Sequence, residues 1–162
     1  MSFQSQRVGA EIASDSEEAP LSGVKVVDLT QFESGPAATQ LMAWLGANVI
    51  KVEPPRGDPS RSLAGATDAR DSILFGLLNQ GKRSVELDLK QEEERRVLFQ
   101  LLESADVLCE NFAPGTLGRL GLAPEFLRER FPRLVVASIR GYAPRGPWAD
   151  WKSFDFVAQA VA

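Results

Sequence analysis

Residues 24–53 read V-K-V-V-D-L-T-Q-F-E-S-G-P-A-A-T-Q-L-M-A-W-L-G-A-N-V-I-K-V-E, and the fold follows from how this stretch divides. Val24, Val26, Val27 and Leu29 make an apolar run too short for a helix and rich in β-branched residues, so it is a strand. Gly35 offers the backbone freedom of a sharp strand-to-helix turn, and Pro36 suits the first helical position, where a missing N–H costs nothing. Ala38, Leu41, Met42 and Leu45 recur at helical spacing until Gly46 stops the helix, and Val49, Ile50 and Val52 begin a second buried strand. A strand-helix-strand unit of this length is a right-handed parallel crossover. Its opening turn aims the N–H groups of a helix N-terminus at whatever binds there, which favours a phosphate or a carboxylate.

The same alternation continues outward. Residues 54–65 form a loop rich in Pro and Gly, leaving the carboxyl end of the second strand. Residues 72–78 suit a short helix, and Val85-Glu86-Leu87-Asp88-Leu89 alternates as a half-buried strand. Over 91–104, Val97, Leu98, Leu101 and Leu102 share one face of an amphipathic helix whose first turn carries Glu92, Glu93 and Glu94, matching the dipole. Residues 106–109 are a fourth strand, Pro114 opens a short helix around Leu117 and Leu120, 123–131 adds another, and 134–139 is a fifth strand. A loop over 141–152 leads into a helix from 154 to 161. The expected fold is therefore a doubly wound, Rossmann-like α/β domain over 21–162, with a mostly parallel sheet and helices on both faces. Residues 1–20, polar and poor in large apolar side chains, read as a flexible leader.

Composition narrows the chemistry. The 162 residues suffice for one domain with a proper core. A net charge of −4 without a basic stripe gives no reason to expect nucleic acid. A lone cysteine, Cys109, forms no internal disulfide and fits a reducing cytoplasm, and neither a membrane-length apolar run nor a signal core is present. Histidine is absent, which excludes Ser-His-Asp and Cys-His catalysis and any histidine-based metal site within these residues. The glycine pattern G-x-G-x-x-G is missing after the first strand, so a nicotinamide or flavin site of the usual kind is not expected.

Ligands of open α/β sheets bind outside the carboxyl ends of the strands. Four segments leave that edge: the turn 31–36, the loop around Arg56, the turn 111–115 and the loop 141–152. Arg56, Arg61, Lys82, Arg83, Lys90, Arg119, Arg140, Arg145 and Lys152 lie on or near it, a concentration that favours a phosphorylated small molecule in a chain of net negative charge.

Four blocks in order resemble the class III (formyl-CoA/carnitine-type) CoA-transferases: L-S-G-V-K-V-V-D-L-T…G-P…L-G-A-N-V-I-K-V-E-P-P-R-G-D-P from Leu21, L-N-Q-G-K-R-S-V-E-L-D-L-K over 78–90, A-D-V-L-C-E-N-F-A-P-G-T-L-G-R-L-G-L over 105–122, and S-I-R-G-Y-A-P-R-G-P-W-A-D-W-K-S-F-D-F-V-A-Q-A over 138–160. The resemblance covers 21–162 and implies that coenzyme A or its acyl thioester is bound as a substrate, with no covalent cofactor and no metal. By motif position, Gln31, Glu33 and Ser34 would sit at the first turn beside the thioester. Leu87, Asp88, Leu89 and Lys90 would flank the adenine and phosphates, and Asn111, Phe112 and Ala113 would line the pantetheine arm. Arg119 would reach a phosphate, while Trp151, Lys152, Ser153 and Phe154 would close the far side. Each also has a plainer use: Leu87 and Leu89 as core residues, Phe112 as a cap on the fourth strand, Arg119 as the partner of a helix acid, Asn111 as a turn residue.

Departures from the family pattern sharpen the expectation. Formyl-CoA-transferase-like members carry Gln where Glu33 stands, and an ionised carboxylate there would repel carboxylate substrates. The family's phosphate-binding Arg aligns with Pro54, leaving Arg56 as the nearest candidate. Phe154-Asp155 replaces the His-Asp pair of the racemase branch, which argues against that branch. The family nucleophile, an aspartate in a G-D turn, would come only after Ala162, leaving Glu33 as an auxiliary acid. The resemblance thus implies the coenzyme-binding N-terminal part of an enzyme that moves CoA from an acyl-CoA to a small carboxylic acid, working as a homodimer or with a complementary C-terminal polypeptide. The alternative is a catalytically inactive CoA- or nucleotide-binding module.

Overall fold

Five short strands alternate with helices, and every neighbouring pair in the sheet is parallel. The structure, a computed structural model, describes residues 19–63 and 72–161; the leader expected over 1–20 falls almost wholly outside them. The strands are β1 (Lys25–Asp28), β2 (Asn48–Glu53), β3 (Arg83–Glu86), β4 (Val107–Glu110) and β5 (Val135–Ser138), in the spatial order β3-β2-β1-β4-β5. Helix α1 (Ser34–Trp44) makes the β1-to-β2 crossover; a 3₁₀ turn (Pro59–Ser62) and α2 (Ile73–Leu78) link β2 to β3. Helix α3 (Glu92–Glu103) links β3 to β4, α4 (Thr116–Arg119) and α5 (Pro124–Arg130) lie between β4 and β5, and α6 (Asp155–Val161) follows. The chain turns back after β3 to place β4 beside β1, so the strand order reverses between β1 and β4. That reversal point is where a parallel sheet opens a crevice.

Successive strand residues point to opposite faces, and two separate cores result. Val27, Leu29, Val52 and Leu108 pack with Leu98 and Leu102 of α3, Leu117, Leu122, Leu127 and Phe131. Val26, Val49, Ala47 and Cys109 pack on the other face with Met42 and Ala43 of α1. Helices on both faces explain why the central strands β1 and β4 are largely buried, whereas the edge strand β3, Arg83-Ser84-Val85-Glu86, is mostly exposed.

Two details of the opening stretch differ from the sequence reading. Gly35 lies inside α1, not at a left-handed turn; the residue with positive φ is Phe32, at 64°. Glycine is required at 35 because a Cβ there would lie 2.4 Å from Thr30 Cβ. With α1 beginning at Ser34, Pro36 is its third residue, still within the first turn whose N–H groups have no helical partner. The buried face of α1 is Gly35, Pro36, Thr39 and Gln40, while Leu41 and Trp44 are 54% and 64% exposed. The cause is a polar layer beneath the helix, described next. In α3 the apolar face is carried by Leu98 and Leu102, whereas Val97 is exposed. Gly46, with φ of 98°, ends α1 as expected.

Candidate active site at the carboxyl edge

Beneath α1, at the carboxyl ends of β1 and β2, lie charged residues inside the molecule. Asp28 is fully buried. Its Oδ1 accepts from the N–H of Thr30 at 2.8 Å and from the Thr30 hydroxyl; its Oδ2 accepts from Thr39 Oγ1 at 2.7 Å and from Lys82 Nζ at 3.0 Å. Lys51 Nζ stands 2.8 Å from Asp58 Oδ2 and donates to the carbonyl of Thr30 at 2.7 Å. Glu53 receives a two-pronged guanidinium bond from Arg61, with Nε 2.7 Å from Oε2 and Nη2 2.8 Å from Oε1, and also accepts from Ser84 Oγ and the Asp58 N–H. Arg61 in turn lies 3.7 Å over the Phe75 ring, tying α2 to the loop after β2. A buried charge without a partner is strongly disfavoured, and here each is paired.

These pairings shift titrations in opposite senses. Burial alone would raise the Glu53 carboxyl, but the hydrogen bonds from Arg61, Ser84 and the Asp58 N–H, with the Arg61 charge, bring it down to about 2. Burial pushes the Lys82 ammonium below its usual range despite the attraction of Asp28. Burial and then the Asp28 charge push the Cys109 thiol up to about 11, against the opposing pull of Lys82, so this cysteine is not a thiolate nucleophile near neutral pH.

The reversal point itself is locked by an exchange of hydrogen bonds. The Gln31 N–H donates to Asn111 Oδ1 at 2.8 Å, and Asn111 Nδ2 returns to the Gln31 carbonyl at 2.7 Å. One side chain from the end of β4 thereby fastens the turn after β1. Phe32 follows, its ring meeting Phe154 edge to face at 5.6 Å, so the segment after the 141–152 loop closes on the first turn. That loop is pinched at its base, where Gly141 abuts Ser153, and the half-buried Tyr142 meets the exposed rings of Trp148 and Trp151 edge to face.

The remaining expected site residues divide by position. Glu33 and Ser34 are exposed at the start of α1, and Glu33 makes no side-chain cap bond. Arg56 is exposed with φ of 90°. Leu87 and Leu89 are buried in the α3-side core, leaving only their backbone for a ligand. Asp88 Oδ1 accepts from the Lys90 N–H at 3.0 Å, which shapes the entry to α3 and leaves the Lys90 side chain exposed. Phe112 is half-buried against the core and its N–H donates to Glu110 Oε2; Ala113 sits in the turn before α4. Arg119 is exposed, with Nη2 donating to Thr116 Oγ1 at 2.7 Å. Trp151 and Lys152 are exposed, and Ser153 is half-buried. The structure thus unites Gln31 with Asn111 and places Phe154 over the first turn, but β2 and β1 stand between β3, which precedes Lys90, and β4, which precedes Arg119.

Of the nine cations expected near this edge, Arg61 and Lys82 face inward onto Glu53 and Asp28, and Arg83 bonds Asn48 Oδ1, at the amino end of β2. Arg140 stands 3.9 Å from Glu110 Oε1, which is buried without a hydrogen-bond partner among the described residues. Sequence reasoning passed over Asp28, Lys51, Glu53, Asp58 and Glu110. For Asp28, Lys51, Glu53 and Glu110 the available signal was a charge within an otherwise apolar strand covered on both faces; Asp58, in the loop after β2, had no such signal.

Comparison with known proteins assigns the chain and its fold to a family. A formyl-CoA:oxalate CoA-transferase of Streptomyces avermitilis is 44% identical over 141 residues, covering 87% of this chain and 34% of the relative. The enzyme of the same name from Rhodopseudomonas palustris is 48% identical over 142 residues, covering 87% and 33%. A crystal structure of a CaiB/BaiF family protein from Brucella suis superimposes with a TM-score of 0.83 at 38% identity, over 90% of this chain and 39% of that one. A hypothetical protein from Mycobacterium tuberculosis gives 0.79 at 39% identity, over 88% and 39%. The chain therefore spans about a third of the length of these curated relatives. The sequence profile of CoA-transferase family III matches residues 21–162 without interruption, and the chain belongs to that family.

Proposed function

We propose that this chain binds the coenzyme portion of an acyl-CoA for a reaction that moves CoA from a thioester to a free carboxylic acid. The observation that carries the reading is the Gln31–Asn111 exchange at the reversal point, which rigidly sets the first turn of a family III domain at the edge where parallel sheets bind ligands. Arg56, Lys90 and Arg119 are exposed cations that would be available to the phosphates, Lys152 would help close the far side, and Asn111 with the backbone at 112–113 would line the pantetheine arm. The relatives carry the name formyl-CoA:oxalate CoA-transferase, which supports a small acid as acceptor.

The transfer needs a carboxylate that attacks the thioester carbonyl, giving a mixed anhydride and a CoA thiolate. The thiolate then attacks the enzyme's own carbonyl of that anhydride, expelling the donor acid and leaving an enzyme thioester. The acceptor acid displaces the thiolate to form a second anhydride, and the thiolate attacks its acceptor carbonyl, releasing the new CoA thioester and the enzyme carboxylate. The acids considered at this edge are poorly suited. Asp28, Glu53 and Asp58 are held in buried ion pairs, Glu110 is fully buried beside Arg140, and Glu33 stands exposed without a side-chain cap bond to orient it. The nucleophile is accordingly assigned to polypeptide other than these residues. Calorimetric titration of CoA should show saturable one-site binding, while labelled CoA should not exchange among thioesters with this chain alone. No heat of binding would sink the coenzyme reading; label exchange by the pure chain would sink the assignment of the nucleophile.

A further inference from the structure

We propose that Lys51 and Asp58 are positioning residues for the coenzyme: as a buried pair they hold the backbone of residues 30–32 in the shape that the first turn presents to the ligand edge. The proposal rests on the coenzyme-binding reading above. Both side chains are inside the molecule, Lys51 at 2% exposure and Asp58 at 1%. Each reaches past its partner to the turn. Lys51 Nζ donates to the Thr30 carbonyl at 2.7 Å, and Asp58 Oδ1 accepts from the Phe32 N–H at 3.4 Å. Between them, Asn111 holds Gln31. Three consecutive residues are therefore gripped by three side chains, one from β2, one from the loop that follows it and one from just past β4.

What they hold is a conformation the chain would not adopt unaided. Phe32 has φ of 64°, a region that bulky residues avoid and that persists only where the surroundings over-determine it. Asp58 is itself held. Its Oδ1 accepts from Ser60 N at 2.8 Å and Ser60 Oγ at 2.7 Å, and its own N–H donates to Glu53. A buried ion pair adds little net stability over apolar residues of the same volume. An apolar pair, however, offers neither a donor for the Thr30 carbonyl nor an acceptor for the Phe32 N–H. The charge is thus spent on geometry at the one turn where the binding edge opens.

The test compares two ligands on the intact chain, acetyl-CoA and adenosine 3′,5′-bisphosphate, by calorimetry. The first spans the thioester end expected beside the first turn; the second carries only the nucleotide end. D58N should weaken acetyl-CoA by at least about tenfold and leave the bisphosphate within about twofold, because only the turn is displaced. K51M, which keeps the side-chain length and removes the donor to the Thr30 carbonyl, should weaken acetyl-CoA as D58N does and leave the bisphosphate within about twofold. S60A, which removes one hydroxyl from Asp58 and keeps both charges, is the milder variant should D58N fail to fold; it should shift acetyl-CoA alone, by about threefold. Equal weakening of both ligands, or of neither, overturns the proposal by showing a merely structural pair. A wild-type chain that binds neither ligand overturns the coenzyme reading and takes this proposal with it.

Discussion

At residue 35 the reason for a glycine is contact, not conformation. A Cβ there would lie 2.4 Å from Thr30 Cβ and 2.9 Å from Thr30 Oγ1, the hydroxyl that donates to Asp28. Gly35→Ala must therefore push Thr30 off Asp28 or lift α1 from the sheet. Overpacking of this kind costs about 1–3 kcal/mol, and part of a buried carboxylate's hydrogen bonding is lost with it. A urea midpoint lowered by that amount is expected, with the slope unchanged; a variant as stable as the parent would show that the close approach is not real. Sequence alone marked this glycine as special yet gave the wrong cause, because steric contact between residues 30 and 35 is invisible without coordinates. The left-handed residue, Phe32, carries no local signal at all, since nothing about a phenylalanine favours positive φ.

At the scale of elements, periodicity placed the helices and strands of the described residues in the right order but not all their bounds or buried sides. The strand expected over 85–89 runs instead over Arg83–Glu86, where it pairs with Ile50–Glu53 of β2, and part of the loop expected after β2 is the 3₁₀ turn Pro59–Ser62. Helix α3 behaves as its pattern requires only in part: Leu98 and Leu102 are 0% and 1% exposed, and Val97 is 40% exposed. Leu98→Ala should cost about 3 kcal/mol through the cavity it leaves, and Val97→Ala no more than about 0.5. Thermal unfolding of the two variants checks this; equal losses would mean that α3 is rotated from the position described. Helix α1 departs further. Its buried face is Thr39, Gln40 and Pro36, because the sheet surface beneath carries Asp28, Lys51 and Glu53, and the apolar Leu41 and Trp44 face outward instead. The hydrophobic rule assumes an apolar neighbour, and at this corner the neighbour is ionic.

For the molecule as a whole, the ion pairs set how stability follows pH. The Glu53 carboxyl sits at about 2 in the folded chain against an ordinary 4.5, so the folded state binds that proton less readily than the unfolded one. The contribution is complete above pH about 4.5 and is lost as pH falls toward about 2, since there the unfolded chain binds more protons. It is on the order of 3 kcal/mol for this nearly inaccessible side chain. Glu53→Gln should lower stability at neutral pH and flatten the acid limb of the urea midpoint against pH; a limb as steep as the parent's would assign acid unfolding to other groups. Several large apolar side chains face outward, among them Trp44, Ile73, Trp148, Phe156 and Val161.

The amino-acid sequence by itself determined the order of strands and helices and their parallel pairing, because hydrophobic period, Gly-Pro punctuation and crossover handedness are local or nearly local properties. It also showed that these 162 residues supply no histidine. Only the tertiary structure decided that Lys51, Asp58 and Asn111 converge on residues 30–32, that Arg61 and Lys82 turn inward to carboxylates, and that the polar face of α1 is the buried one. Those outcomes depend on contacts between residues distant in sequence, whose partners no local pattern names. A charge in a covered strand must find an opposite charge, and where it finds one is settled by the packing of the whole chain.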